Sequence, residues 1–221
     1  MRPGSARRPA ARSADSRRAL IAAAVDVLRH QGFAAATART IAATAGCNQA
    51  LVFYHFGSVM GLLLAALDEV SAQRRERYEQ ALSGVSGPGQ LVELAAQIFA
   101  EDLDTGDAKL LVEMIAGTAS TPGLAAEVKA RMTPWAEFAQ AAIAPVLDGS
   151  PIGAMVGTEE AAHAVVALYL GLELLSHLDG DRAPALALFD RARRLAPLLA
   201  LMAGVAPAPA DRLQATAEVG S

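Results

Sequence analysis

The chain has 221 residues, 53% of them apolar and 5% aromatic, with a single cysteine, Cys47. Such a length supports a real hydrophobic core, and abundant alanine and leucine beside few aromatic and β-branched residues favour an all-α fold. One cysteine excludes an internal disulfide framework and suits a reducing cytoplasm. No segment offers about 18 uninterrupted apolar residues for a membrane span, since the longest apolar run is broken by His163 and ends at Glu173. The basic N-terminus lacks the apolar core of a secretion signal.

The net charge of −4 conceals a division. Residues 1–60 hold eight arginines (Arg2, Arg7, Arg8, Arg12, Arg17, Arg18, Arg29 and Arg39) against Asp15 and Asp26, a balance of +6, which leaves −10 on the other 161 residues. A basic head on an acidic body is the footprint of a polyanion-binding module joined to an unrelated domain.

Residues 1–14 are rich in Arg, Pro, Gly, Ser and Ala without apolar periodicity, and are expected to form a flexible arm. A first helix follows over 15–30, with Asp15 or Ser16 as cap and Leu20, Ile21, Ala24, Val27 and Leu28 as an apolar stripe. Gly32 stops it. Thr37 caps a short helix with Ile41, Ala42 and Ala45 inward; Gly46 breaks the chain, and Asn48 caps a second short helix over 49–54. Two short helices about a tight glycine-containing turn make a helix-turn-helix. Ser58 opens a long helix to 82, whose stretch 73–80 (QRRERYEQ) reads as a solvated charged surface. The breaker 83–89 (SGVSGPG) is followed by expected helices at 88–103, 107–118, 121–132, 133–147, 158–179 and 181–203, separated by Gly, Pro and Asp punctuation. The Pro/Ala-rich segment 206–221 is expected to be disordered.

Within 18–64 the segments TARTIAATAG (37–46) and LVFYHFGS (51–58) resemble the N-terminal domain of the TetR family of bacterial regulators, whose pattern runs roughly T-x-x-x-I-A-x-x-A-G-V-S, then [LV]-[YF]-[YW]-[HY]-F-x-[SN]-K, at this spacing. The resemblance implies an all-α, TetR-like architecture: a three-helix helix-turn-helix domain over 15–60 and a helical effector-binding and dimerisation domain over 61–205. It implies a DNA-binding regulator, commonly a repressor, released from a palindromic operator by a small-molecule effector. Cys47 and Asn48 stand where the family has valine and serine; both are physically conservative, cysteine as a small hydrophobe and asparagine as an N-cap. Val59 replaces a lysine, which should remove one phosphate contact and lower the salt slope by about one.

On this pattern the helix 49–54 enters the major groove. Gln49 can pair with adenine N6 and N7, while Ala50 and Leu51 can touch only apolar features such as a thymine methyl. Arg39, Thr37, Tyr54, His55 and Ser58 match positions that hold bases or backbone, Ser58 at the start of a helix whose amides can take a phosphate oxygen. Arg7, Arg8 and Arg12 can reach a neighbouring minor groove. Val52 and Phe56 read as core. Reading a site of useful length needs two heads, hence a homodimer. The run 161–178 (AAHAVVALYLGLELLSHL) is apolar on nearly every side, which predicts burial on more than one face. Ala164, Ala167, Leu168, Gly171 and Leu175, with Leu186, Phe189, Leu195, Leu198 and Leu199 on the last helix, are the expected interface.

An effector pocket, again implied by resemblance, is expected to draw on Phe99, Met114, Met132, Trp135, Phe138 and Tyr169. Glu113, His163, Glu173 and His177 are polar groups in apolar helices that must be satisfied internally, exposed, or used by a ligand. The alternative to a regulator is a small-molecule-binding protein or an enzyme using Glu173 and His177, one helical turn apart, as metal ligands or an acid/base pair. No third ligand, phosphate loop or nucleophile elbow accompanies them, so neither enzyme activity nor a cofactor is expected. Cys47 as a redox sensor has no second cysteine with which to pair.

Overall fold

A computed structural model of the chain describes residues 7–148, 151 and 153–202. Among these residues it holds nine α-helices, one 3-10 turn and no strand: α1 (Arg7–Gln31), the turn Phe33–Ala35, α2 (Ala38–Thr44), α3 (Ala50–Phe56), α4 (Val59–Leu82), α5 (Pro88–Thr105), α6 (Asp107–Gly117), α7 (Leu124–Leu147), α8 (Thr158–Asp179) and α9 (Ala183–Met202). The chain divides into two compact units, one of residues 1–73 and 106–131, the other of 74–105 and 132–221. The expected tail 206–221 and residues 1–6 of the expected arm lie outside the described residues.

The first unit is built on α1. Leu20, Ile21, Ala24, Val27 and Leu28, the stripe predicted from spacing, are all buried, together with Ile41 and Ala42 of α2, Val52 of α3 and Leu62 of α4. Each large side chain so buried contributes roughly 1.5–3 kcal/mol. The helix starts at Arg7 rather than at 15, so that 7–14 are helical turns and not an irregular arm. The physical reason lies in composition: arginine and alanine are strong helix formers, and Pro9 falls in the first turn, where amides have no intrahelical partner. Asp15 therefore does not cap; it pairs with Arg18, while Ser16 bonds back to the Ser13 carbonyl.

The end of α1 is locked to α6. Arg29 forms an ion pair with the buried Asp107, and the Glu113 carboxylate accepts a hydrogen bond from the Phe33 amide at 2.8 Å. Glu113 is thus satisfied internally. The Phe33 ring lies so close to Gly117 that a Cβ there would stand 2.6 Å from Cζ, so glycine is required for space. Met114, expected as pocket lining, is fully buried in this unit's core, whereas Phe99, Met132, Trp135, Phe138 and Tyr169 belong to the second unit.

In the second unit α5 packs against α8 and α9. Phe99, fully buried, stands edge-on to Tyr169 at 5.8 Å and tilted against Phe189 at 5.3 Å. Phe189, expected at a dimer interface, is half-buried, with its ring packed on Phe99 of the same chain. The two helices expected at 121–132 and 133–147 are one helix, α7, with Pro134 and Pro145 inside it. An interior proline costs a backbone hydrogen bond, about 3 kcal/mol or more; beside Pro134, Trp135 stands edge-on to Phe138 and tilted to Tyr78, each at 6.3 Å.

The second unit also has a polar core. Asp102, 1% exposed, accepts from Arg74, from the Tyr78 hydroxyl at 2.8 Å and from the Tyr169 hydroxyl. Arg74 and Tyr78 are buried, which corrects the reading of 73–80 as wholly solvated surface. The Arg74 guanidinium lies 4.7 Å from the Trp135 ring centroid, a cation–π placement. Burial and the Asp102 charge push both phenols up, and burial opposes the Arg74 charge while Asp102 holds it. Glu173, 5% exposed, is pushed up to about 7, by burial first and by Asp102 second, against a Tyr169 hydrogen bond and Arg74 that pull it down.

Two consequences can be measured. Gly117→Ala should cost on the order of 1–3 kcal/mol by overpacking against Phe33, read as a lower urea midpoint; Phe33→Leu in the same chain should recover part of the loss, and strict additivity of the two changes would contradict the contact. A carboxyl whose folded value lies above its unfolded 4.5 holds more protons folded than unfolded, so the native state loses stability as pH rises from about 4.5 toward 7. Glu173→Gln should therefore gain on the parent in urea midpoint between pH 5 and pH 8. A difference that does not change with pH would show that Glu173 titrates normally.

Candidate functional site

The polar, exposed edge of the first unit is made by α2, α3 and the turn between them. Thr37 stands in extended geometry before α2, and its hydroxyl accepts from the Thr40 amide at 3.1 Å, satisfying one of the orphan donors of the helix start. The α2 helix then ends in a Schellman arrangement. The Gly46 amide donates to the Ala43 carbonyl at 3.2 Å and the Cys47 amide to the Ala42 carbonyl at 3.0 Å, with Gly46 left-handed at φ +63°. That conformation is what lets α3 leave α2 at a turn's distance. Asn48 Oδ1 accepts from the Ala50 amide at 2.8 Å, so the predicted capping residue serves the start of α3, one residue later than expected. Ser58 Oγ accepts from the Gly61 amide at 2.9 Å at the start of α4.

Capping and packing leave a continuous outer face. Thr37, Arg39, Asn48, Gln49, Ala50, Tyr54 and Ser58 are exposed, while Leu51 and His55 are half-buried. The nine residues expected to face DNA thus lie on α2, α3, their caps and the start of α4, seven of them exposed and two half-buried. Phe53, 49% exposed beside Tyr54 at 76%, belongs to the same face and was not anticipated. Its signal was available: only Val52 of this helix is buried, so residue 53 turns outward by helical periodicity. Val52 is core as expected, whereas Phe56 is half-buried under the Arg17 guanidinium, 5.3 Å from its ring.

His55 has a second occupation. Its Nε2 lies 2.9 Å from Ser16 Oγ, and its ring sits edge-on between Tyr54 and Phe56. It ties α3 to α1, so the side chain expected to face DNA is also a structural brace. Arg29 is turned inward to Asp107, whereas Arg18 pairs with Asp15 at the exposed surface; Arg12 and Arg39 are exposed. Cys47 is half-buried, and burial pushes its thiol up, away from the reactive thiolate.

In the second unit an open cleft of about 560 Å³ is lined by Arg75, Glu79 and Leu82 of α4 and Ser83 just after it, with Pro134, Glu137, Phe138 and Ala141 of α7. Of the expected pocket residues only Phe138 lines it. Phe99 is core, Trp135 and Tyr169 belong to the Asp102 cluster, and Met132 is half-buried. The alternative acid/base pair is not formed: Glu173 is buried while His177, like His163, is exposed. No group of three or more His, Cys, Asp or Glu side chains among the described residues is placed to hold a metal.

The last two helices depart from expectation in burial. Of α8 only Ala162, Glu173 and Ser176 are buried. Ala164, Leu168 and Leu175 are exposed with Leu198 of α9, while Gly171 and Leu186 are half-buried. Helix α8 is also long and apolar enough to cross a membrane by composition alone.

Residues 20–66 match the family described as bacterial regulatory proteins, tetR family. No curated protein matches the chain in sequence. Among solved structures, the chain is similar to the regulator FadR from Bacillus subtilis in complex with stearoyl-CoA, at 16% identity and a TM-score of 0.68, covering 80% of this chain and 95% of that one. It is similar to the fatty acid degradation regulator FadR from Bacillus halodurans at 14% identity and a TM-score of 0.68, covering 81% and 93%. It is also similar to the multidrug binding protein EbrR complexed with imidazole, at 26% identity and a TM-score of 0.58, covering 88% and 91%. The capped α2–turn–α3 unit lies inside the matched segment, so residues 20–66 form a helix-turn-helix domain of the tetR family of bacterial regulatory proteins, within an all-helical fold similar to that of the solved regulators.

Proposed function

We propose that the chain is a homodimeric repressor that binds a palindromic operator through α2 and α3 and releases it when a small molecule binds the C-terminal unit. The observation that carries this reading is the outer face of α2 and α3, where caps and core consume the apolar side and leave Arg39, Gln49 and Tyr54 exposed together. In the major groove, Gln49 at the start of α3 pairs with adenine and Arg39 holds a phosphate. Tyr54 and His55 contact the backbone, and the α4 amides behind Ser58 take a phosphate oxygen. Phe53 adds an apolar surface for a thymine methyl. The extra turns of α1, with Arg12 exposed, carry positive charge toward the flanking DNA.

Dimerisation is proposed through α8 and α9. Leu168, Leu175 and Leu178 of α8 and Leu195, Leu198 and Leu201 of α9 are each more than half exposed in the single chain, from 54% to 70%. Exposed leucines along two helices mark surface that another surface covers, and a two-fold operator needs a second copy to supply it. Read in this way, the apolarity of α8 is that of a subunit contact, consistent with a cytoplasmic protein. The small-molecule part of the proposal draws on the two structural relatives whose descriptions name stearoyl-CoA and imidazole. Those ligands are theirs; the effector of this chain is a separate question.

Selection of bound sequences from random double-stranded DNA tests the reading. A two-fold symmetric sequence should be enriched, and absence of any enriched palindrome would overturn it. On that operator Gln49→Ala should lose roughly 1–3 kcal/mol of discrimination at one base pair in each half-site. Arg39→Ala should weaken binding to all sequences and lower the salt slope by about one per head. In sedimentation velocity, Leu168→Asp combined with Leu198→Asp should convert a dimer to a monomer; a dimer that survives both changes places the interface elsewhere.

A further inference from the structure

The bond that braces α3 to α1 also fixes where the protons of His55 lie. Ser16 Oγ makes two contacts, at 3.0 Å to the Ser13 carbonyl and at 2.9 Å to His55 Nε2. A hydroxyl has one proton, and a carbonyl can only accept. The Ser16 proton therefore goes to Ser13, and the Ser16 oxygen accepts from a protonated Nε2. Any other assignment leaves one of the two contacts without a proton. A neutral imidazole carries a single N–H, so with Nε2 protonated its Nδ1 holds a bare lone pair. Nδ1 makes no hydrogen bond among the described residues, and it is not one of the buried atoms left without a partner, so solvent reaches it.

The charges around the ring are those of α1 and α2, the helices packed on α3. On α1, Arg12, Asp15, Arg17 and Arg18 surround Ser16 in sequence, and α2 carries Arg39. The Arg17 guanidinium lies 5.3 Å from the ring of Phe56, and Tyr54 and Phe56 flank the His55 ring edge-on. The acids of these helices are taken: Asp15 pairs with Arg18, and Asp26 with His30 near the end of α1. Neither α2 nor α3 carries an acid. An imidazolium at residue 55 thus has no unpaired carboxylate on these three helices, and an anion that balances it comes from outside. A phosphate oxygen cannot meet the bare Nδ1 of the neutral ring, since both are acceptors.

We propose that Ser16 is a positioning residue that makes the grip of His55 on an operator phosphate conditional on a proton. With Nε2–H committed to Ser16, Nδ1 donates to the phosphate only after the ring has taken up a proton from solvent. The proposal rests on the reading of His55 as a DNA-backbone contact and adds the proton on which that contact depends. One proton from the buffer adds to Nδ1 and no other bond breaks; the imidazolium then donates Nδ1–H to the phosphate and Nε2–H to Ser16. An opposite charge at hydrogen-bond distance favours the charged ring, so binding takes up as much as one proton per head. The complex then holds more protons than the free chain, and by linkage its affinity falls as pH rises through the range in which imidazoles lose their charge.

The test measures affinity for the duplex enriched in the selection, by fluorescence anisotropy from pH 6 to pH 8 at fixed ionic strength. The full chain is compared with His55→Gln, Ser16→Ala and His30→Gln. The parent should weaken by up to about tenfold per pH unit for each head. His55→Gln should give a flat profile, because an amide donates at any pH. In Ser16→Ala the neutral ring is free to carry its proton on Nδ1, so the loss toward pH 8 should shrink. His30→Gln, in the last turn of α1, should keep the parent's profile. Ring nitrogen NMR shifts, assigned with His55→Gln, give a reading that needs no variant to bind. At pH 8 the free chain should show His55 protonated at Nε2 alone, and the complex at pH 6 should show both nitrogens protonated. A flat parent profile, a parent-like profile in His55→Gln or Ser16→Ala, or a free ring protonated at Nδ1 overturns the proposal and leaves operator binding standing. A chain that binds no enriched duplex at any pH overturns both.

Discussion

The buried carboxylate of Asp102 organises the second unit. It lies on α5, and its three donors come from α4 and α8, so a single side chain fastens three helices whose apolar contacts alone would let them slide. A buried charge is tolerated only when opposite charge and hydrogen bonds replace the lost water. Asp102 has both, and breaking one member of such a set costs far more than the set contributes as a whole. The arrangement also constrains its neighbours. Beside this cluster Glu173 is buried with its Oε1 unpartnered among the described residues, and burial and the Asp102 charge push its carboxyl up.

The first unit relies on different physics. Its core is the leucine, isoleucine and valine stripe of α1 closing over Ile41 of α2 and Val52 of α3, with no buried network of comparable kind described there beyond the Arg29–Asp107 pair. Precision at the outer face comes instead from caps: Thr37, Asn48 and Ser58 each satisfy a helix start, and Gly46 supplies the left-handed residue that closes α2. Short helices of seven residues are marginal in isolation. Caps and the shared core hold them, so that the residues left outside stand in fixed positions. A reading head benefits from that rigidity, because base-edge hydrogen bonds depend on placement to a fraction of an ångström. The Ser16–His55 bond extends the bracing to α1.

Much of the first unit was legible in the sequence. The stripe from Leu20 to Leu28, the Thr37 and Ser58 caps, the Gly46 break and the buried Val52 follow from local rules that act within about one helical turn. Where the start of α1 was misplaced, two local signals competed: Asp15 and Ser16 favour a cap, while RRPAARSA favours helix, and the longer helix won because Pro9 sits in the first turn at little cost. The exposed Phe53 needed only the helical period applied once more.

What the sequence determined by itself was the class of fold, the position of the reading head and its charge, since these are set by periodicity, capping and composition. Only the tertiary structure decided which polar residues are inside. Arg74 and Tyr78 sit in a stretch that reads as solvated charge, and Asp102 in a helix with nothing unusual in its spacing; what buries them is the meeting of α4, α5 and α8, residues that lie up to 67 apart in the chain. Likewise the alternative pairing of Glu173 with His177 was attractive at one turn's separation, yet one side chain is inside and the other outside. The apolar run of α8 predicted burial on several faces, and a single chain leaves most of it uncovered, because a hydrophobic surface fixes only that it must be covered and not by what. Pairing across long sequence separations depends on three-dimensional adjacency, which no local pattern encodes.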